Sequence, residues 1–213
     1  MLNPDQLKLY LVTDRSFLHG RDLKDVVLEA VHGGVTMVQI REKSLDTRTF
    51  INLAADLVGV LRPLGVPLIV NDRVDVALAS DADGVHIGQS DMPYEMARRL
   101  LGKDRIIGLS VENFAQIQEA NALDVDYIGV SPVFSTPTKT DTAAPFLLDG
   151  LRKTVLMSVH PTVAIGGVNL ETLPGVLETG CDGAALVSAI LNNDSPKYAA
   201  QRLRRLIDLK QIG

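Results

Sequence analysis

Two apolar, β-branched runs of the chain stop on acidic residues: Pro67-Leu-Ile-Val-Asn71-Asp72, and Gly84-Val-His-Ile-Gly-Gln-Ser-Asp91. A strand buried on both faces is apolar along its length, so polar residues just past its end are placed for chemistry more often than for packing. If the two runs are neighbouring strands, Asp72 and Asp91 can share one hard cation. Mg²⁺ takes one or two carboxylates together with water and substrate phosphates, so the pairing points to a phosphorylated substrate. Each aspartate also has an ordinary alternative as a helix N-cap: Asp72 for the segment that follows it, with Asn71 then a turn residue, and Asp91 ahead of Met92-Pro93.

A phosphorylated substrate needs cations and hydroxyls. Gln39, Arg41 and Lys43 follow an apolar run at alternate positions, so on an extended chain they point the same way and suit a diphosphate. The competing reading is a surface ion pair with Glu42 or Asp46. Ser110 ends Ile-Ile-Gly-Leu and can donate to a phosphate oxygen or, as a loop residue, cap the next helix. The stretch from Ser131 to Asp141 is too polar for a core; Thr136, Thr138 and Lys139 make it an anion cradle or a lid, against the alternative of a solvated loop. Gly166-Gly167 and Val187-Ser188 follow the last two apolar runs. Barrels frequently bind phosphate there, because glycine lets backbone N–H groups approach an anion; a tight turn is the plainer explanation of the glycines. His86, in mid-strand, reads as packing, and Gln89 is a weak candidate for the same rim.

These groups converge only if the elements around them bring strand ends together. Short apolar runs alternate with amphipathic segments throughout. The spacing predicts strands at Lys8–Thr13, Met37–Ile40, Pro67–Val70, Gly84–Ile87, Arg105–Leu109, Tyr127–Val130, Thr162–Ile165 and Gly183–Val187. It predicts helices at Leu23–His32, Thr47–Leu61, Val74–Ala79, Pro93–Leu101, Phe114–Ala122, Leu148–Met157, Leu170–Glu178 and Pro196–Leu209. Such alternation implies a parallel sheet, and about eight units imply a closed (β/α)8 TIM barrel with its site at the C-terminal mouth of the strands. A doubly wound open sheet is the alternative, weakened by the lack of Gly-x-Gly-x-x-Gly after the first strand.

The 213 residues fit one large domain, expected over 1–213, and 46% hydrophobic with 22% charged residues is an ordinary globular balance. A formal net charge of -5 repels polyanions, and the Arg-rich segment Lys197–Lys210 fits a helix with a solvated face, so nucleic acid is not an expected partner. No membrane span or secretory leader is evident. The single cysteine, Cys181, excludes an internal disulfide and fits a cytoplasmic protein.

Seven segments taken in order carry a resemblance: VQIREK (Val38 to Lys43), LIVNDRVDVAL (Leu68 to Leu78), GVHIGQSDMP (Gly84 to Pro93), IIGLS (Ile106 to Ser110), TPTKTD (Thr136 to Asp141), AIGGV (Ala164 to Val168) and ALVSAI (Ala185 to Ile190). Together they resemble the thiamine-phosphate synthase family over nearly the whole chain. The resemblance implies a transferase of thiamine biosynthesis. It would couple hydroxymethylpyrimidine diphosphate with thiazole phosphate, giving thiamine phosphate and diphosphate by a Mg-assisted dissociative substitution. It further implies that Gln39, Ile40, Arg41, Glu42, Lys43, Asn71, Ser110 and Lys139 hold the pyrimidine diphosphate, Asp72 and Asp91 the Mg²⁺, and Thr136, Pro137, Thr138, Gly167, Val187 and Ser188 the thiazole phosphate. Arg41, Lys43, Ser110 and Lys139 would be catalytic, and a homodimer is among the expectations. Ser131 and Ser135 depart from the family pattern, which favours Gly and Pro there. A related thiazole tautomerase and a non-catalytic phosphate-binding barrel are the rival readings.

Overall fold

The computed structural model describes residues 2–135 and 144–210. Eight parallel strands close into a barrel in sequence order: β1 (Leu9–Val12), β2 (Met37–Ile40), β3 (Leu68–Asn71), β4 (Gly84–Ile87), β5 (Ile106–Val111), β6 (Tyr127–Val130), β7 (Thr162–Ile165) and β8 (Gly183–Leu186). Strand β8 pairs back onto β1, through Leu9 opposite Ala184 and Leu11 opposite Leu186. Helices α1 (Leu23–His32), α2 (Thr47–Leu61), α3 (Val74–Ala79), α4 (Tyr94–Leu101), α5 (Phe114–Ala120), α6 (Leu147–Met157) and α7 (Leu173–Glu178) occupy the crossovers, and α8 (Ser188–Leu191) and α9 (Pro196–Lys210) follow β8. The predicted closed barrel is therefore what the chain adopts.

The strands read as continuous apolar runs because both faces are covered. Side chains alternate: Leu9 and Leu11 of β1, Val38 and Ile40 of β2, and Leu68 and Val70 of β3 pack outward against the helices. Tyr10, Val12, Met37, Ile69, Ile106, Tyr127, Val163 and Ala185 fill the barrel interior with Leu7. The interior is thus packed at its lower end, and polar side chains gather only above it.

At the N-terminal end of the barrel one device occurs four times among the described residues. The residue entering each even-numbered strand pairs twice with the beginning of the preceding odd one. Thr36 donates its N–H to the Leu9 carbonyl at 2.9 Å, while its Oγ1 accepts from the Leu9 N–H at 3.0 Å. Asp83 does the same with Leu68 (2.9 and 2.8 Å), Asp126 with Ile107 (2.9 and 2.8 Å) and Asp182 with Thr162 (3.0 and 2.7 Å). Each clip satisfies a strand amide that would otherwise lack a ladder partner, and pins neighbouring strands in register at the end remote from the loops after the strands. Two of these clips are formed by the Asp-Gly dipeptides at 83–84 and 182–183.

Boundaries follow the sequence reading closely: β2, β4, β6, β7, α1, α2 and α3 coincide with the predicted spans. Among the described residues the one α-helix not foreseen, α8, is four residues long, too short to show a period. No helix among the described residues is long and apolar enough to cross a membrane. Replacing Asp182 with alanine removes the side-chain acceptor of the Thr162 amide; we expect about 1–3 kcal/mol of lost stability, typical of a donor left unsatisfied, read as a lower midpoint in urea denaturation.

Candidate active site

A cavity of about 740 Å³ opens where the C-terminal ends of the strands meet. On the β2 side it is lined by Gln39, Arg41 and Lys43, the three positions the period of an extended chain places on one face. The intervening residues face elsewhere: Ile40 is fully buried among the outward-facing side chains, and Glu42 accepts from Arg15 Nε at 2.6 Å. Burial raises the Glu42 carboxyl above its ordinary pKa, although Arg15 opposes this. The expected competitors for the cations are otherwise occupied. Asp46 caps α2 by accepting from the Thr49 N–H at 3.0 Å, while Arg41 lies 3.7 Å from Asp14 and its own N–H donates to Thr13 Oγ1. Two cations are therefore held at the rim of the cavity.

Asp72 and Asp91 line the same cavity, as does Asn71. Neither aspartate is a cap: the residue before α3 is Arg73 and that before α4 is Pro93, with no side-chain cap bond at either. Asp72 adopts φ of +63°, in the left-handed region that a side chain enters at a cost, while its N–H donates to the His86 carbonyl. Lys43 Nζ reaches Asp72 Oδ2 at 2.5 Å. Asp91 Oδ2 accepts from the Gly88 N–H at 2.7 Å. The Asp91 carboxyl is nonetheless held above its usual pKa, first by burial and then by the adjoining Asp72 carboxylate, with Gly88 and Lys43 working in the other direction. Two neighbouring carboxylates, with Lys43 beside them, form an all-oxygen donor set that suits a hard dication. No third His, Cys, Asp or Glu completes a metal cluster among the described residues. Water and phosphate oxygens would then supply the remaining ligands, as Mg²⁺ prefers.

Across the cavity, the ends of β7 and β8 contribute backbone. Gly166 and Gly167 have φ of +96° and +68°. A Cβ on Gly166 would lie 2.9 Å from Pro132 Cβ, and one on Gly167 would lie 2.7 Å from Phe134 Cβ. Glycine is required at both positions by conformation and by contact. The loops after β6 and β7 are zipped together, Val133 N–H donating to the Ile165 carbonyl and Phe134 N–H to that of Gly166. Val187 and Ser188 line the cavity beside them, where α8 begins. Thr136, Pro137, Thr138 and Lys139 lie outside the described residues.

The floor is a polar layer that the sequence reading did not assemble. Gln39 Nε2 donates to Tyr10 Oη at 2.8 Å, the Tyr10 and Tyr127 hydroxyls are 2.9 Å apart, Tyr127 Oη is 3.0 Å from His86 Nδ1, and His86 Nε2 is 2.8 Å from Ser110 Oγ. Gln89 donates to the Ser110 carbonyl at 2.7 Å. Ser110 belongs to β5 and caps nothing; α5 is capped by Asn113. Burial lowers the His86 pKa to about 4, so the ring is neutral near pH 7, and burial raises those of both tyrosines. The available signal was two tyrosines in otherwise aliphatic strands, since a buried hydroxyl requires a partner.

The sequence model of the thiamine monophosphate synthase family matches residues 9–190. The chain is 54% identical over 202 residues to a thiamine-phosphate synthase of Albidiferax ferrireducens, covering 95% of this chain and 92% of that one. It is 51% identical over 206 residues to one of Syntrophomonas wolfei, covering 97% and 98%. The solved thiamine phosphate pyrophosphorylase of Pyrococcus furiosus superposes with a TM-score of 0.89 at 38% identity, over 97% of this chain and 98% of that one. By the match over residues 9–190 and by its likeness to these relatives along nearly its whole length, the chain belongs to the thiamine monophosphate synthase family and is a transferase.

Proposed function

We propose that the chain couples hydroxymethylpyrimidine diphosphate with thiazole phosphate, releasing diphosphate, by a dissociative substitution that depends on Mg²⁺. The observation that supports this reading is that the lining of one cavity combines cations and carboxylates from the β2–β5 ends with a glycine-bearing rim from the β7 and β8 ends. Arg41, Lys43, Asn71, Asp72, Asp91 and Ser110 belong to the first group, and Gly167, Val187 and Ser188 to the second. A thiazole tautomerase needs only the second group; the paired carboxylates and the two cations have a use when a diphosphate departs.

Asp72 and Asp91 would hold the Mg²⁺, which supplies charge neutralisation for the departing diphosphate. Arg41 and Lys43 bind the diphosphate oxygens and stabilise the negative charge that grows on them as the bond to the pyrimidine methylene lengthens. Ser110 donates a hydrogen bond to the same group, and Gln39 and Asn71 orient the pyrimidine. By the family resemblance Lys139 adds a further cation, while Thr136, Pro137 and Thr138 join Gly167, Val187 and Ser188 around the thiazole phosphate. An electron-rich aminopyrimidine supports a methylene cation, so no general base is needed, and the remaining task is to keep the thiazole nitrogen in line and water out. Backbone contacts alone are available to Ile40, and Glu42 acts by holding Arg15 beside the β2 end. The buried thiol of Cys181, the sole cysteine and outside any disulfide, supports a cytoplasmic location.

The test is diphosphate release measured with both substrates, with and without Mg²⁺. Release that requires all three components is the expected result, and conversion of thiazole phosphate without diphosphate release would favour the tautomerase. Asp91→Asn should lower kcat by about 100-fold or more, in the range for losing electrostatic stabilisation of a leaving group. Gly167→Ala, whose Cβ would press on Phe134, should raise KM for thiazole phosphate by about tenfold while leaving diphosphate affinity in place, a split visible in steady-state kinetics.

A further inference from the structure

The polar floor has a property that a set of separate contacts would lack. Tyr10 and Tyr127 are 1% and 0% exposed, and each hydroxyl lies between two partners. No buried side-chain nitrogen or oxygen among the described residues lacks a hydrogen bond. A hydroxyl has one proton, so each tyrosine accepts from one neighbour and donates to the other. An amide nitrogen only donates. With Gln39 Nε2 turned to Tyr10, the order follows: Gln39 donates to Tyr10, Tyr10 to Tyr127, and Tyr127 to His86 Nδ1. That leaves the proton of the neutral ring on Nε2, facing Ser110 Oγ. If Ser110 accepts that proton, its own is left to point toward the cavity that Ser110 lines.

The interior is shaped to hold this row. A Cβ on Gly108 would stand 2.1 Å from Tyr127 Cζ, and one on Gly129 would stand 3.0 Å from His86 Cε1. The two glycines give these rings their places in the barrel, and the His86 ring stacks on Tyr127 with centroids 5.5 Å apart.

We propose that Tyr10, Tyr127 and His86 are positioning residues that form a one-way hydrogen-bond chain from Gln39 to Ser110 and keep the Ser110 hydroxyl a donor toward the bound substrate. The inference rests on the diphosphate reading of the cavity for its kinetic consequence, but the chain itself is a property of the protein alone. Rotating the Gln39 amide would reverse every link, place the ring proton on Nδ1 and turn the Ser110 proton back to His86. Its oxygen lone pairs would then face the diphosphate. The gain from a fixed direction is that Ser110 meets an anion with no reorganisation of its hydroxyl during the reaction.

Two measurements test this, and they fail separately. The first is ¹⁵N NMR of histidine-labelled protein without substrate, which identifies the tautomer of His86. An Nε2–H ring is expected; an Nδ1–H ring overturns the assigned direction whatever the enzyme catalyses. The second is a double-mutant cycle on kcat. Tyr127→Phe removes one oxygen from the chain and should lower kcat by about tenfold, roughly the effect of losing one well-placed hydrogen bond. In a Ser110→Ala background the same change should cost nothing further, because its effect passes through that hydroxyl. Tyr10→Phe should behave in the same way and serves where the first variant folds poorly. Losses that multiply with Ser110→Ala, or a Tyr127→Phe enzyme with unaltered kcat, would overturn the proposal. Wild-type enzyme that fails to release diphosphate would instead count against the reaction and leave the NMR result standing.

Discussion

Closure of a parallel sheet is the constraint from which the rest follows. Once β8 pairs with β1 in register, all eight strands run the same way and their carboxyl ends share one rim. Residues distant in sequence, from Gln39 to Ser188, then face one cavity. The opposite rim is closed by the Thr36, Asp83, Asp126 and Asp182 clips. Stability and chemistry are thereby assigned to opposite ends of the barrel, so the loops after the strands can serve the site without holding the sheet together.

Within the rim, charge is distributed unevenly. Burial, and after it the neighbouring Asp72 carboxylate, hold the Asp91 carboxyl above its usual pKa, while Lys43, paired with Asp72 at 2.5 Å, and the Gly88 N–H act in the other direction. The left-handed backbone at Asp72 places this carboxylate in the cavity and not over the start of α3. On the proposed function, a dication carrying a phosphate ligand would neutralise this pair of carboxylates, and dication and phosphate would bind together. The glycine pair on the other side works differently, presenting backbone where a Cβ would collide with the neighbouring loop.

Much of this was legible in the sequence, for identifiable reasons. Period-2 spacing separated Gln39, Arg41 and Lys43 from Ile40 and Glu42 in orientation, and strand ends marked Asn71 and Asp72. The sequence did not decide whether Asp72 and Asp91 were caps, because capping depends on backbone geometry a residue or two further on; the helices begin too late for either to serve. Nor did it show the floor network. His86 read as packing because its partners, Tyr127 and Ser110, come from other strands, and no local spacing encodes a contact made between strands. The four-residue α8 carried no period to detect.

On the proposed function, the two carboxylates bind a dication and a diphosphate as a unit. Isothermal titration calorimetry of the protein with inorganic diphosphate, in the presence and absence of Mg²⁺, tests it without requiring turnover. Affinity that rises by about tenfold or more with Mg²⁺, a gain of at least ~1.4 kcal/mol, and loses that gain in Asp91→Asn is the predicted result. Diphosphate binding that is equally strong with and without Mg²⁺ would contradict the account.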